Sequence, residues 1–376
     1  MVIRLEVRVS KTIDKIGKEA IDSIADDGFF TYGYFKTLEI SRPFNVVPVY
    51  LAAYDGDRMI AAAPCHIDPG TKVSALKNNS PFSKRIVNIA GHFGFHPNRM
   101  LVCSPPSSYH SKILIGDDIA KKVILDKVCE GVDGICRKER ISFSSFPHVS
   151  EFEDLLMENL QDFGYVKFPS VSTFSLDVKW SNFEDYLRSL ESHKIRTTVR
   201  REIKKCRESG VTIAEENEFG SLATALANLH SNLFSKYNKG LGSPRNASFF
   251  KGLSEYAKEK TRVLVASRNG KIVGFSLSLQ QKDTLDVHLC GFDYDTQMST
   301  DFSYFNVVYY ATIRMAIEEG IKRVHYSISS DRIKQKRGCK LEKTYSFIKC
   351  HNRYLGPFYN LYMKIAHAQQ RYASAS

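Results

Sequence analysis

Polar side chains suited to binding and to acid–base chemistry crowd into one short stretch of the sequence. It begins TLDVHLCGF, where Leu285, Val287 and Leu289 alternate with other residues, a pattern that predicts a strand. The strand, the loop after it and the start of the next helix carry His288, Asp293, Asp295, Asp301, Tyr304 and Asn306. An aspartate in such a place can hold an ammonium group or accept its proton. Ligands of open α/β sheets usually bind where strand ends face helix starts, so we expect a site here.

A basic segment, DRIKQKRGCK, follows the next predicted strand. A fixed cation lowers the barrier of a reaction in which an oxygen becomes negative, and Lys334 and Arg337 are suited to that task. Gly338 lets the backbone approach a ligand closely, because it has no side chain. The alternative interpretation is a basic loop on the surface.

A predicted helix near the middle of the chain is strongly basic. Its apolar stripe is narrow and consists of Ile195, Val199 and Ile203. The stripe is flanked by Lys194, Arg196, Arg200, Arg201, Lys204, Lys205 and Arg207. Such an array repels itself unless an anion lies against it, and phosphates of tRNA or of a nucleotide fit. The alternative is a solvated helix whose charge is relieved by Glu202 and Glu208.

Length and composition set the broad class. The 376 residues are 43% hydrophobic and 25% charged, which indicates a globular chain with room for two domains. Lys and Arg number 53 against 41 Asp and Glu, and the net charge of +12 suits a polyanionic partner. No apolar run approaches the roughly 20 residues of a membrane span, and no secretory signal is visible, so we expect a cytoplasmic protein. The eight cysteines are scattered without a CxxC, so we expect reduced packing residues and no metal.

Two hairpins of similar pattern indicate a tandem repeat. Apolar runs joined by Asp-Gly and by Asn-Gly predict hairpins at 49–63 and 263–279. Each is later followed by a long helix and a strand, at 118–146 and at 303–329. The matching order favours two copies of one α/β unit over chance similarity.

The join of the repeat lies near residues 176–182. We therefore predict an N-terminal domain over 1–178 and a C-terminal domain over 179–376, which carries the polar stretch and the basic segment. At the start of the chain, residues 10–28 have apolar residues at helical spacing and are predicted to form a helix.

The second half resembles the FemAB-like proteins of the GNAT acyltransferase superfamily, most clearly over residues 175–350. The matching residues are Gly291 and Asp293; Tyr304, Phe305, Tyr309 and Tyr310; Gly320, Lys322 and Arg323; and Lys334, Arg337 and Gly338. The resemblance implies an α/β fold of tandem GNAT-like domains, each a mixed central sheet flanked by helices. It also implies an enzyme that moves an acyl or aminoacyl group onto a small-molecule or peptide amine.

With that reaction in view, the candidate residues take definite roles. Lys334, Asp293 and Tyr304 are the predicted catalytic residues. The predicted substrate-binding residues are His288, Asp301, Asn306, Arg337 and Gly338. The predicted tRNA- or phosphate-binding residues are Lys194, Arg196, Arg200, Arg201, Lys204 and Lys205. For Asp301, capping of the following helix is an equal alternative.

The acyl donor is indicated by what the sequence lacks. Proteins of this fold that use CoA carry a glycine-rich loop before the central helix, whose N–H groups hold the pyrophosphate. The corresponding stretch here, QMSTDFSYF, contains no glycine. This absence argues against an ordinary acetyl-CoA enzyme. The resemblance to FemAB-like proteins, which likewise lack the loop and draw on aminoacyl-tRNA, implies charged tRNA as donor and partner, with no bound cofactor. An N-acyltransferase that uses acyl-CoA or another acyl thioester, and a non-catalytic RNA-binding protein, are the alternatives.

Overall fold

The computed structural model describes residues 5–69, 99–116, 121–237, 244–294, 301–328 and 330–352. They form two compact units. The first contains the described parts of Met1–Ile24, Asn45–Val171 and Lys343–Ser376, and the second contains Ala25–Phe44 and the described parts of Ser172–Glu342. Among the described residues, no helix is long and apolar enough to cross a membrane.

Each unit is built on one mixed sheet. The strands are β1 (Leu5–Ser10), β2 (Val47–Asp55), β3 (Arg58–Asp68), β4 (Met100–Val102), β5 (Leu114–Ile115), β6 (Phe143–Ser150), β7 (Val166–Pro169), β8 (Thr173–Asp177), β9 (Thr212–Glu215), β10 (Thr261–Arg268), β11 (Lys271–Gln281), β12 (Thr284–Phe292), β13 (Arg323–His325), β14 (Lys340–Glu342) and β15 (Thr344–Cys350). The first sheet has the order β1-β2-β3-β4-β6-β15-β7, with β5 paired to β3. The second has the order β14-β8-β13-β12-β11-β10-β9.

The described helices all lie between strands in chain order. They are α1 (Lys18–Ile24), α2 (Tyr32–Ser41), α3 (Lys121–Lys138), α4 (Asp154–Asp162), α5 (Phe183–Ser189), α6 (His193–Glu208), α7 (Ala223–Tyr237), α8 (Ala247–Tyr256), α9 (Ser303–Phe305, Asn306–Ala311 and Thr312–Glu318 without a break) and α10 (Asp331–Gln335). Short 3₁₀ turns lie at Ile13–Lys15, Gly28–Phe30 and Lys258–Lys260.

The two sheets share one strand order, which confirms the predicted repeat. Read from one edge, β1-β2-β3-β4-β6-β15-β7 corresponds strand by strand to β9-β10-β11-β12-β13-β8-β14. The predicted hairpins are β2–β3 and β10–β11, at equivalent places in the two sheets. In both units a parallel pair, β4 with β6 and β12 with β13, is joined by a chain segment that contains a long helix, α3 or α9.

The units exchange strands in a way that the predicted division after residue 178 does not include. Strand β8 lies between β13 and β14 in the second sheet, while β15 lies between β6 and β7 in the first. Each exchanged strand pairs antiparallel with both of its neighbours, so its backbone groups are used on both sides. The segment Ala25–Phe44 also belongs to the second unit. There α2 packs so closely on the end of α8 that a Cβ on Gly33 would lie 2.2 Å from the carbonyl oxygen of Tyr256.

The predicted helix over residues 10–28 is wrong. The chain is a strand up to Ser10 and becomes α-helical only at Lys18. Gly17 has φ 90°, a backbone conformation that a helix does not contain, and it separates the 3₁₀ turn from α1.

Candidate active site

Strands β12 and β13 of the second unit separate soon after they pair. Their parallel register covers only Thr284 to Asp286 on β12 and Arg323 to His325 on β13. Strand β12 then continues to Phe292, whereas β13 ends at His325. The pairing therefore ends at the carboxyl end of a parallel pair, and we call this place the opening between β12 and β13. Ligands of α/β sheets bind in such openings.

A β-bulge lies on β12 beside this opening. Leu277 of β11 pairs with Leu289, and Ser278 pairs with Val287, so His288 is an extra residue on β12. A bulge changes which face of the sheet the following side chains occupy. The strand predicted from Leu285, Val287 and Leu289 is confirmed as β12, but the three side chains do not share one face: the core cluster on that face contains Leu285 and Val287, and then Phe292.

Helix α9, which crosses over from β12 to β13, has a wide turn near its start. Residues Asn306–Ala311 are π-helical, and the Thr312 hydroxyl donates to the carbonyl of Val307, five residues before it, at 3.2 Å. Such π-turns are rare and occur frequently at functional sites. The Asn306 amide donates to the carbonyls of Glu202 at 3.1 Å and Phe302 at 2.9 Å. Asn306, a predicted substrate-binding residue, thus joins α6 to the start of α9.

Arg337, the second predicted cation of the basic segment, belongs to a buried network. Its guanidinium donates to a Glu202 carboxylate oxygen at 2.9 Å and to the Tyr310 hydroxyl at 2.9 Å, and Tyr310 also hydrogen-bonds Glu202. The guanidinium carbon lies 4.2 Å from the ring centroid of Phe305. Arg337 and Glu202 are 5% and 6% exposed, so this pair, with Tyr310, holds together α6, α9 and the segment that follows α10. Glu202 therefore does not relieve the surface charge of the basic helix.

Lys334 is buried, with 3% of its surface exposed. Its ammonium donates to the carbonyl of Ser327 at 2.9 Å and to that of Ile328 at 2.8 Å, directly after the end of β13. Burial lowers the pKa of Lys334 to about 8, while Cys339 and Asp331 act in the opposite direction. Gly338 follows at φ 83°, a conformation that favours glycine, and ends this segment.

The two predicted aspartates both pair with the turn of the hairpin β10–β11. Asp293 accepts from the Lys271 ammonium at 2.9 Å, and Asp301 pairs with Arg268 at 3.3 Å. Asp301 also accepts from the N–H of Ser303 at 2.9 Å, which is the capping contact considered from the sequence. Tyr304 packs by its ring edge on Phe292, Phe305 and Tyr309. The structure thus gives these groups partners within the protein and groups them at the start of α9.

The basic helix α6 has the predicted apolar stripe: Val199 is buried, and Ile195 and Ile203 pack on the core. Four of its basic residues contact other groups of the protein. Arg196 donates to the carbonyl of Leu190, Arg200 pairs with Glu184, and Lys204 and Lys205 both lie near Glu208 at 3.6 and 3.5 Å. The exposed basic residues of the helix are Lys194, Arg200, Arg201, Lys204, Lys205 and Arg207.

Sequence reasoning missed His230 of α7. It is 3% exposed, and its Nδ1 lies 2.9 Å from the carbonyl oxygen of Cys290 on β12. Helix α7 lies against β12 here, since a Cβ on Gly291 would lie 2.5 Å from the backbone nitrogen of His230. The signal in the sequence is weak: one histidine in an apolar helix, LANLHSNLF.

The geometry agrees with known proteins. The model of the FemAB-like family, described as peptidoglycan biosynthesis/recognition, matches residues 12–375. No curated protein matches the chain in sequence. Among solved structures, FemX is 10% identical, with a TM-score of 0.61 over 94% of this chain and 99% of that one. L-PGS from Bacillus licheniformis is 12% identical, with a TM-score of 0.51 over 86% of this chain and 89% of that one. A conserved protein of unknown function from Bacteroides thetaiotaomicron is 11% identical, with a TM-score of 0.53 over 92% of this chain and all of that one.

At such low identities the structures show the fold alone. That fold and the family match confirm both the predicted tandem GNAT-like α/β architecture and the resemblance found in the sequence.

Proposed function

Because this chain belongs to the FemAB-like family, we propose that it is an acyltransferase that forms an amide on an amine acceptor, with an aminoacyl-tRNA as donor. The match to the family over residues 12–375 is the observation that carries the proposal. The family's description is peptidoglycan biosynthesis/recognition.

The opening between β12 and β13 supports the proposal. The two strands part after Asp286 and His325, and a bulge and a π-turn flank the opening. The backbone edge of β12 beyond Asp286 has no strand partner on that side among the described residues. N–H groups at such an edge are suited to accept a carbonyl oxygen of the acyl group, in the manner of an oxyanion hole.

Lys334 is the side chain that we propose as the cation beside the reacting carbonyl. Two of the three N–H donors of its ammonium go to the carbonyls of Ser327 and Ile328. These bonds fix the ammonium beside the segment that directly follows β13, the strand that borders the opening. A cation held before the reaction starts needs no reorganisation when negative charge develops on the oxygen.

The exposed face of α6 supports tRNA over CoA as the source of the acyl group. Exposed Arg201 and Arg207 lie on this helix with Lys194, and no acidic partner of theirs is found among the described residues. A row of such positive charges binds a phosphate backbone more tightly because binding releases the counterions of the phosphates. The stretch before α9 lacks the glycines with which a CoA pyrophosphate is held.

The product of the reaction tests the proposal. The purified protein is incubated with total tRNA charged with radiolabelled amino acids and with the small-molecule fraction of a bacterial extract as acceptor. An amide survives mild base, whereas the ester of an aminoacyl-tRNA is hydrolysed. We expect base-stable labelled product that disappears after RNase treatment of the donor. A parallel reaction contains labelled acyl-CoA in place of the charged tRNA. Product labelled from acyl-CoA, with release of free CoA thiol, and no product labelled from charged tRNA would refute the choice of donor.

The donor surface is tested by charge reversal. In Arg201→Glu/Lys205→Glu, two exposed residues four apart on α6 change, and the apolar stripe is untouched. The matched control, Lys251→Glu/Lys258→Glu, makes the same change in charge at exposed positions on α8 and the 3₁₀ turn after it. We expect weaker binding of charged tRNA and a smaller salt dependence for the α6 variant only.

A further inference from the structure

Two buried histidines, His288 of β12 and His230 of α7, have ring nitrogens without a hydrogen-bond partner. His288 is 7% exposed, and neither of its nitrogens has a partner. His230 uses Nδ1 on the carbonyl of Cys290, but its Nε2 has no partner. Buried polar atoms are nearly always hydrogen-bonded, because a buried polar atom without a partner destabilises the fold. Two such residues on neighbouring elements indicate a place where a ligand supplies the missing partner.

The hydrogen-bonding state of His230 follows from its one contact. A carbonyl oxygen only accepts, so Nδ1 carries the proton and donates to Cys290. Nε2 is then a bare lone pair that needs an N–H or O–H from outside the protein. His288, as a neutral imidazole, offers one donor and one acceptor.

The ring of His288 packs among aromatic side chains. His288 is the extra residue, and its ring meets those of Phe29, Tyr34 and Phe249 at centroid distances of 4.7, 5.9 and 6.3 Å. These residues come from the 3₁₀ turn Gly28–Phe30, α2 and α8 of the same unit. The ring of His288 is therefore surrounded by aromatic side chains.

The charge of Arg245 sets what such a place accepts. Its guanidinium lies 4.2 Å from the ring centroid of Phe44 and 5.7 Å from that of Phe249. Burial first, and then this positive charge, lower the pKa of His288 well below its usual value. The pKa of His230 is lowered to about 4 by burial, an effect that the bond to Cys290 opposes and Arg245 reinforces. Both rings are therefore neutral near pH 7, and a second cation is disfavoured beside them.

We propose that His230 and His288 form the subsite for the acceptor amine, which they hold in its uncharged form by accepting its N–H groups. An amine attacks a carbonyl only when it is uncharged, so a site with bare acceptors and a positive neighbour selects the reactive form. The opening between β12 and β13 begins at Asp286, two residues before His288. The inference rests on the proposed function, since it assigns the site to the acceptor of that reaction.

Binding of a simple amine tests the subsite without any transfer reaction. Benzylamine is titrated into the full chain, and the histidine side-chain resonances are followed by NMR, with assignments from His230→Gln and His288→Gln. We expect the signals of these two residues to shift, and benzyltrimethylammonium, which has no N–H, to leave them in place. Shifts only at other histidines, or equal shifts with both probes, would overturn the proposal.

The transfer assay gives a second and separable readout. His230→Phe and His288→Gln should raise the KM for the acceptor at least tenfold, leave the KM for the donor unchanged, and weaken benzylamine binding to the same degree. His193→Gln, an exposed histidine on α6, is the control and should behave as the wild type. The fluorescence of Trp180 reports whether each variant is folded. Transfer with an unchanged acceptor KM would overturn the subsite alone, whereas amine binding that depends on His230 and His288 without any transfer would overturn the proposed reaction.

Discussion

The buried ammonium of Lys334 makes the stability of the second unit depend on pH. Burial lowers the pKa of this group from 10.5 to about 8 in the folded protein. At about 1.4 kcal/mol per pH unit, this shift corresponds to about 3 kcal/mol. Between pH 8 and 10.5 the unfolded chain binds the proton more tightly than the folded protein does, so stability rises with pH. Below pH 8 both states carry the proton, and the folded protein bears the whole penalty.

Lys334→Met removes the ionisable group and keeps the length and the apolar contacts of the side chain. The quantity of interest is the free energy of unfolding of the wild type minus that of Lys334→Met. We expect this difference to increase by about 3 kcal/mol from about pH 7 to about pH 10.5. The other ionisable groups are the same in both proteins, so their contributions to the pH dependence cancel in this difference. Urea unfolding followed by the fluorescence of Trp180, the single tryptophan, reports on the second unit, because Trp180 packs on its core. Parallel curves for the two proteins across this pH range would refute the burial of a charged Lys334.

Three further results follow from the contacts of the second unit. Lys334→Ala should lower kcat about a hundred- to a thousand-fold with little change in donor KM, as expected for one lost oxyanion partner, and steady-state transfer kinetics measure this. For Arg201→Glu/Lys205→Glu, the slope of log affinity for charged tRNA against log salt concentration should become shallower by about one to two units, as measured by filter binding. An unchanged slope would mean that the exposed face of α6 is only solvated. Glu202→Gln should destabilise the unit by about 3–5 kcal/mol because it leaves Arg337 buried without its counter-ion, whereas Glu202→Leu/Arg337→Met should recover most of that loss in urea unfolding.

Local signals were enough to predict the repeated architecture. Asp-Gly and Asn-Gly turns between apolar runs identify the hairpins β2–β3 and β10–β11, because such turns match the twist of antiparallel strands. The exchange of β8 and β15 between the sheets has no local signal. Both strands pair antiparallel with their neighbours, and those neighbours are far away in the sequence.

The candidate site was predicted as a region, and its inner contacts were not. Spacing and composition indicate that Lys334 and Arg337 are important, but they do not show that the partner of Arg337 is Glu202 on another helix. The bulge at His288 reverses an alternation that looked regular, because a single inserted residue changes the register without changing the residue types. His230 reaches the site only because α7 approaches β12 at Gly291, a long-range contact that periodicity does not contain.

Donor choice is the central claim, and one dual-label reaction tests it most directly. The protein is given tRNA charged with ¹⁴C-labelled amino acids and ³H-acetyl-CoA in the same tube, with the acceptor fraction of a bacterial extract, and the base-stable product is counted for both isotopes. The account predicts ¹⁴C in the product, its loss with Arg201→Glu/Lys205→Glu at moderate salt, and no ³H above the protein-free control. A product that carries ³H and no ¹⁴C would contradict it.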